Sequence, residues 1–379
     1  MQSKPRLLWI SIKMFDTAVG KAPYLEVGKY LQNDFDVHLL TGWREKPKRI
    51  LVGKNPVIYF SQFGKGLIQK FSRTVLLKHS CKKAIGTLKP DLVFLTCPNN
   101  VGLVQAISHS CARYCIPIVL DIRTLPTSVH HSSGWRQFRK CVSYASRHYS
   151  GISYITMEMF NYCIREYSLP EHKHTIWTSG VNPSLFALGT DETNLDGFRI
   201  IYHGGIIAAC RGLDNLIRAI DLVRDLNPKL TLISSLREPD TISLIQTLGL
   251  RDHINLVDTQ PHEDIPEYIQ ENDIGILPFP DHDAWNTSSP LKLFEYMSCG
   301  KPVVVTDIPA HRHVLDGRPF AFFAKDNSPA ELAKAIRSAH AFRNMYAEWG
   351  AMARTQVLNQ HTWKHQTTIL SEFLMSFLH

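Results

Sequence analysis

Between Asn286 and Thr306 the chain reads Asn-Thr-Ser-Ser-Pro-Leu-Lys-Leu-Phe-Glu-Tyr-Met-Ser-Cys-Gly-Lys-Pro-Val-Val-Val-Thr. Lys292 and Glu295 are the charged residues inside a unit that reads as a polar loop, a short helix, a glycine stop and a buried strand. Ser288, Ser289 and Pro290 suit a helix start, because hydroxyl side chains cap free amides and proline fits a first turn. Leu291, Leu293, Phe294 and Met297 supply the apolar faces. Gly300 ends the helix and Pro302 blocks its continuation. Val303, Val304 and Val305 form the continuous apolar run expected of a strand buried on both faces of a parallel sheet. A helix N-terminus beside a lysine is a natural seat for a phosphate. The same residues also fit an ordinary packing unit with a solvated lysine and glutamate, and local geometry alone leaves both readings open.

A second stretch offers related chemistry. The strand at 199–202 ends in His203-Gly204-Gly205, and Arg211-Gly212 follows just before a helix. Two glycines at the C-terminal end of a strand let backbone approach a ligand closely. Open parallel sheets bind ligands at that edge, and a guanidinium fork matches phosphate geometry. A tight turn carrying a surface arginine would read the same way. Near the N-terminus, Gly20 precedes a helix beneath the first strand and is a weaker phosphate candidate.

The elements that must position these residues come from the whole chain. Its 379 residues are too many for one ordinary domain, so two α/β domains are expected. Candidate strands lie at 6–10, 36–40, 57–60, 91–95, 116–121 and 151–156, with stretches of mostly helical length between them. The alternation restarts with strands at 198–202, 229–234, 254–257, 274–278, 302–306 and 320–323. Such alternation favours βαβ units and mostly parallel sheets. The polar stretch 187–197 follows a Gly/Asn/Pro turn, and the boundary is placed near residue 180. The expected domains are 1–180 and 181–360, with an amphipathic helix over 361–379 that must dock elsewhere.

No apolar run approaches the roughly 20 residues that span a bilayer. The start reads as a first strand rather than a signal peptide. Eight cysteines show neither a CxxC pair nor zinc-like spacing, which suits reduced thiols in a cytoplasm. Charge is uneven. Residues 1–180 carry 25 Lys/Arg against 10 Asp/Glu, a net +15, whereas 181–379 carry 17 against 24, a net −7. From Lys46 to Pro90 there are eleven basic residues and no acidic one. Residues 64–85 pattern as a basic amphipathic helix, and Arg136, Arg139, Lys140 and Arg147 make a second basic patch. Helices of this kind can rest on an anionic membrane surface. Solvated helices packed on their own domain fit the same pattern. No nucleic-acid recognition motif accompanies the charge.

Taken together, the motifs resemble family 4 retaining glycosyltransferases. Tyr202-His203-Gly204-Gly205 followed by Arg211-Gly212-Leu213-Asp214-Asn215-Leu216-Ile217-Arg218-Ala219 is similar to that family's donor-site motif. Ser288 through Met297 with Gly300-Lys301-Pro302-Val303-Val304 is similar to its glutamate motif, and Ser179-Gly180-Val181-Asn182 with Phe186 to its interdomain signature. The motifs occur in the family's order, from the domain boundary through most of the C-terminal half. The N-terminal half resembles the family only in its strand–helix rhythm and in residues 117–123.

The resemblance implies the GT-B fold: two Rossmann-like domains with parallel sheets facing a central cleft, and a C-terminal helix crossing back to the N-terminal domain. It implies a nucleotide-diphosphate sugar, such as a UDP- or GDP-sugar, bound mainly by the C-terminal domain. A lipid-linked or saccharide acceptor would sit on the N-terminal domain. No cofactor or metal is required. Carried over by position, Arg211 pairs with the diphosphate, and the amides around Leu291 and Lys292 cradle its distal phosphate beside Ser289, Gly204 and Gly205. Glu295 binds the ribose hydroxyls. Arg211, Lys292 and Glu295 are the residues expected to carry catalysis, which proceeds with same-face attack and no protein nucleophile. Preorganised cations and amide dipoles would stabilise the charge growing on the leaving diphosphate. Three positions depart from the family pattern. Thr287 stands where a second glutamate often faces the sugar, Gly205 where a basic residue often follows the first glycine, and Arg123 where a histidine often ends a central strand. Gly20, Asp121, Arg123 and Thr287 are therefore candidates for acceptor or sugar contact, and Asp121 with Arg123 could equally be a structural pair. The expectation is a cytoplasmic, membrane-associated retaining glycosyltransferase of polysaccharide or glycolipid synthesis. A nucleotide-sugar epimerase of the same fold and a catalytically silent nucleotide-sugar-binding subunit are the alternatives.

Overall fold

The computed structural model describes residues 3–15, 21–43, 50–61, 66–126, 132–189, 197–204, 211–234 and 239–378. Gly20 and Gly205 lie outside the described residues, as do the side chains of residues 66–73 in the expected amphipathic helix. The chain divides into two compact units, Met1–Thr178 with Trp363–His379, and Ser179–Thr362.

The first unit runs β1 (Arg6–Met14), α1 (Lys21–Leu31), β2 (Asp36–Trp43), β3 (Leu51–Val52), β4 (Asn55–Pro56), β5 (Ile58–Ser61), α2 (Gly66–Leu88), β6 (Leu92–Thr96), α3 (Val101–Ala112), β7 (Ile118–Ile122), α4 (Ser133–His148), β8 (Gly151–Tyr154), α5 (Met157–Tyr167) and β9 (His174–Ile176). Its main sheet has the order β5-β2-β1-β6-β7-β8-β9, and every pair in it is parallel. The short antiparallel β3–β4 pair, outside the expected alternation, stands apart from that sheet. Strands β6 and β7 are buried at every position, which is why they read as unbroken apolar runs.

The second unit runs β10 (Phe198–His203), α6 (Leu213–Leu222), β11 (Pro228–Ile233), α7 (Pro239–Thr247), β12 (Ile254–Val257), α8 (Ile265–Gln270), β13 (Ile274–Leu277), α9 (Asp283–Asn286), α10 (Leu291–Ser298), β14 (Val303–Thr306), α11 (Pro309–Leu315), β15 (Ala321–Ala324), α12 (Pro329–Ala341) and α13 (Tyr346–Gln360). Its sheet has the order β12-β11-β10-β13-β14-β15 and is parallel throughout. Each sheet therefore starts in the middle, grows to one side and then restarts on the other. Such doubly wound sheets leave a crevice at the C-terminal ends of the two central strands. In the second unit those strands are β10 and β13.

The last helix, α14 (Trp363–Met375), belongs to the first unit and packs against α1 and β9. Its apolar stripe explains the docking: Trp363, Leu370, Phe373 and Leu374 are buried. A Cβ on Gly151 would stand 2.6 Å from the Phe377 ring and 2.9 Å from the Phe373 ring, so the glycine lets these rings reach the β8 backbone. Ser371 donates to the Asp34 carboxylate, and Lys173 donates to the Ser376 carbonyl at 3.1 Å.

Helices α2, α3 and α4 contain no Asp or Glu, and α3 packs against both of the others. Lys82 and Lys83 on α2, with Arg136, Arg139, Lys140 and Arg147 on α4, are exposed. Among the described residues, no helix is long and apolar enough to cross a membrane, and the described cysteines are free thiols.

Candidate active site

Helix α10 is seated by residues that the sequence marked and by some that it did not. At its C-terminal end the Gly300 amide donates to the Met297 carbonyl at 3.1 Å and the Lys301 amide to that of Tyr296 at 2.9 Å. Gly300 has φ +73°. This left-handed glycine closure is what the sequence implied. The N-terminal end differs from expectation. Pro290 is the cap residue rather than part of the first turn, and no side chain caps the helix. The serines are used elsewhere: Ser288 Oγ donates back to the Trp285 carbonyl at 2.8 Å, and Ser289 binds Ser179. The preceding turn α9 competes for the hydroxyls, because Ser288 Oγ reaches the Trp285 carbonyl, which its own amide also meets, more readily than the amides ahead. The amides of Leu291 and Lys292 consequently have no hydrogen-bond acceptor among the described residues. An uncapped helix start of this kind is electropositive.

The helix is held over the sheet by Tyr296. Its ring fills the space that Gly275 leaves on β13, where a Cβ would come within 2.1 Å of it. Its hydroxyl accepts a hydrogen bond from the His203 amide at the end of β10. That packing carries Lys292 to the C-terminal edge of β10 and β13. Far from being solvated, Lys292 is only 8 % exposed. Its Nζ lies 4.8 Å over the Tyr202 ring and 5.5 Å over that of Phe279, with no hydrogen-bond acceptor among the described residues. Burial and the nearby Arg211 charge, against the pull of Glu295, bring its pKa down to about 7. A Cβ on Gly204 would stand 3.2 Å from Nζ, so glycine keeps that approach open. Arg211 opens the segment before α6, with its guanidinium 5.1 Å over the Trp285 ring. Trp285 stacks on Phe279 at 4.7 Å. Two cations thus flank one aromatic stack, and no carboxylate pairs with Arg211 among the described residues.

Glu295 lies one turn beyond Lys292 and is 4 % exposed. Its Oε1 is 2.9 Å from His262 Nε2, and its Oε2 is 3.2 Å from His203 Nε2. Burial by itself would raise its pKa, but the two imidazoles outweigh that and hold it at about 2. Burial in turn lowers the pKa of His203, with Glu295 opposing. Glu295 is therefore an ionised acceptor at neutral pH. Sequence reasoning did not single out His262, Tyr202, Phe279 or Trp285 as side chains of this site. His262 follows β12, well before α10 in sequence, so no local spacing joins it to that helix; Trp285 sits in α9 just before α10, where an aromatic residue reads as ordinary packing.

The remaining candidates have other partners. Ser289 Oγ accepts from the Ser179 amide at 3.1 Å, and its carbonyl accepts from Ser179 Oγ at 2.7 Å, which ties the domain-boundary signature to the start of α10. Thr287 Oγ1 donates to the Asp283 carbonyl at 2.8 Å, and the residue is buried. Asp121 is buried at the end of β7, where Oδ1 accepts from Ser153 Oγ at 2.8 Å and from Trp177 Nε1 at 3.1 Å. Arg123 donates to the carbonyls of Trp177 at 2.7 Å and Thr178 at 3.3 Å, with its guanidinium 3.8 Å over the Trp177 ring. Asp121 and Arg123 thus meet through Trp177 and hold the end of the first unit's chain. Gly20 and Gly205 lie outside the described residues.

Residues 197–341 match the family model described as Glycosyl transferases group 1. That stretch contains His203, Gly204, Arg211, His262, Leu291, Lys292 and Glu295. A 58-residue stretch is 40% identical to TuaH of Bacillus subtilis (strain 168), provisionally named a teichuronic acid biosynthesis glycosyltransferase, and it spans 15% of this chain and 15% of that protein. Several solved structures share the fold over nearly the whole chain. A sucrose-phosphate synthase from Thermosynechococcus elongatus has a TM-score of 0.81 at 14% identity, covering 98% of this chain and 99% of that one. HepE of Anabaena, in complex with UDP and glucose, has a TM-score of 0.74 at 16% identity, covering 98% and 100%. WaaG, a glycosyltransferase involved in lipopolysaccharide biosynthesis, has a TM-score of 0.71 at 13% identity, covering 97% and 99%. The fold is therefore that of GT-B glycosyltransferase structures.

Proposed function

We propose that the protein is a retaining glycosyltransferase that moves a sugar from a nucleotide-diphosphate sugar to a lipid-linked or saccharide acceptor in the synthesis of a cell-surface polysaccharide or glycolipid. The observation that carries this reading is Lys292, a buried cation that, like the two amides at the start of α10, has no acceptor among the described residues. A buried charge without a partner is costly, and an incoming diphosphate would supply one. Arg211 would bind the same diphosphate from the other side of the aromatic stack. As the anomeric C–O bond breaks, negative charge grows on the leaving phosphate, and groups already aimed there stabilise it. Glu295 would accept from the ribose hydroxyls. No metal or further cofactor is invoked.

Uridine is the first nucleotide to test, since HepE has been crystallised with UDP and with UDP-glucose. A thermal-shift panel of UDP, GDP, ADP and their sugars should raise the melting temperature with one base only. A flat panel refutes the donor reading. The purified protein with labelled donor and a lipid-linked acceptor should give a glycosylated product, whereas an epimer formed from donor alone would replace transfer by isomerisation.

The acid-free layer of α2, α3 and α4 motivates the second part of the proposal, a peripheral position on the cytoplasmic face of a membrane. The protein should sediment with anionic vesicles at low salt and be released as ionic strength rises. Indifference to anionic vesicles at low salt would remove the membrane from the proposal.

A further inference from the structure

Glu295 is held in an unusual way for a buried carboxylate. Among the described residues neither lysine nor arginine forms an ion pair with it; each oxygen instead faces one imidazole, His262 at 2.9 Å and His203 at 3.2 Å. The two come from different elements, His203 from the end of β10 and His262 from the segment after β12. The other titratable groups around the carboxylate are Lys292 on its own helix, with Tyr296 and Cys299 next to it. We infer that His203 and His262 are positioning residues that aim the Glu295 carboxylate at the ribose diol of the donor, and that His262 sets a preference for ribonucleotides over 2′-deoxyribonucleotides. The inference rests on the donor reading above.

The geometry supports it in three steps. A carboxylate has about four lone-pair positions. His262 Nε2 takes one on Oε1, and His203 Nε2 stands 3.2 Å from Oε2 without hydrogen-bond geometry, so at least one position stays open on each oxygen. A vicinal diol has two donors, one for each of those positions. A bidentate arginine would have filled both oxygens and left less room. The terminal torsion of a glutamate is broad, so contacts from two separate elements are what hold the carboxylate plane. The imidazoles are themselves held. His203 stands edge-on to Tyr296 at 5.3 Å, and His262 packs against Phe186 at 5.2 Å. Phe186 is fully buried, and its carbonyl accepts from Ser298 Oγ at 2.6 Å. Finally, Glu295 lies three residues after Lys292, so one helix face presents the diol acceptor and the phosphate cation together. The His262 side chain is 41% exposed, so the nucleoside reaches the carboxylate past it.

The test is the affinity of UDP and 2′-deoxy-UDP, or the corresponding pair for whichever base binds, in the wild type, His262→Ala, His262→Gln and His203→Gln. The wild type should favour the ribonucleotide by about tenfold, the value of one hydrogen bond to a charged group. His262→Ala should reduce that ratio to about threefold or less while changing deoxynucleotide affinity by less than about twofold. His262→Gln, which keeps a donor near the same place, should restore most of the ratio. A ratio unchanged in His262→Ala, or equal losses for both nucleotides, would overturn the inference. Should His262→Ala fail to fold, the ratio in His203→Gln decides, and an unchanged value there has the same meaning. A wild type that binds no nucleoside diphosphate fails the donor reading itself; a wild type that binds UDP with a ratio untouched by these substitutions fails the clamp alone.

Discussion

Lys292 and Tyr202 form an unusual pair: the ammonium nitrogen lies 4.8 Å over the tyrosine ring, and its cation has no hydrogen-bond acceptor among the described residues. Ring faces attract cations but do not replace a hydrogen-bonding partner. Burial, then Arg211, depresses the lysine pKa from 10.5 to about 7. A bound diphosphate would reverse that. Nucleoside diphosphate binding should therefore take up a proton above pH 7, and affinity should fall as pH rises from 7 towards 9. Titration calorimetry at pH 8 in buffers of different ionisation heat checks this. Lys292→Met should abolish the uptake and weaken binding by at least about tenfold, the effect of losing one charged contact.

The same shift carries a sign for stability. The unfolded lysine keeps its proton up to about pH 10.5, while the folded one begins to lose it near 7. The unfolded state thus binds more protons across that window, and this group's contribution to stability rises with pH through it. Lys292→Met removes a buried cation and should melt no lower than the wild type at pH 7. A melting temperature well below it would mean that the lysine has a structural partner.

Arg211 makes a single ring contact and no carboxylate pair among the described residues. Arg211→Ala should lower turnover by about 10²–10³-fold, the usual loss for one charge-stabilising donor, with little change in melting temperature. An unchanged rate would refute its place beside the leaving group.

Gly212 has φ +76°, and a Cβ there would fall 1.9 Å from the Pro278 carbonyl oxygen. Both the backbone conformation and the space exclude a side chain. Gly212→Ala should cost about 2–4 kcal/mol in urea denaturation. It should also weaken nucleotide binding, because Pro278 carries the chain from β13 to Phe279.

Arg123 and Trp177 make a lock at the end of the first unit: a cation–ring contact at 3.8 Å and two donated hydrogen bonds. Arg123→Ala should destabilise the protein by about 2–3 kcal/mol. Donor affinity should be unaffected. A stable variant with a selectively raised acceptor KM would return Arg123 to the acceptor-contact role.

Much of this was legible in the residues. Apolar runs and helical spacing report local backbone preference, and both parallel sheets follow from them. Gly300 marked its own turn because only the left-handed conformation closes a helix in that way. The hydroxyls of Ser288 and Ser289 suit caps by type and position, and the structure uses them otherwise, because a carbonyl of the preceding turn and the Ser179 backbone compete for them. The β3–β4 pair was missed because two-residue strands have no period to read.

The sequence by itself determined that Lys292 and Glu295 share a helix, that this helix ends at Gly300, and that a glycine-rich strand end and an arginine accompany it. Those are consequences of spacing along one element. Only the tertiary structure decided the environment of each charge. Lys292 could have been a solvated lysine, and it is the Gly275–Tyr296 packing that sinks it between Tyr202 and Phe279. Glu295 could have carried an arginine, and it is the approach of His203 and of His262, 33 residues earlier, that holds it ionised. Charge depends on distance and burial, and both are set by contacts between elements that the chain keeps far apart.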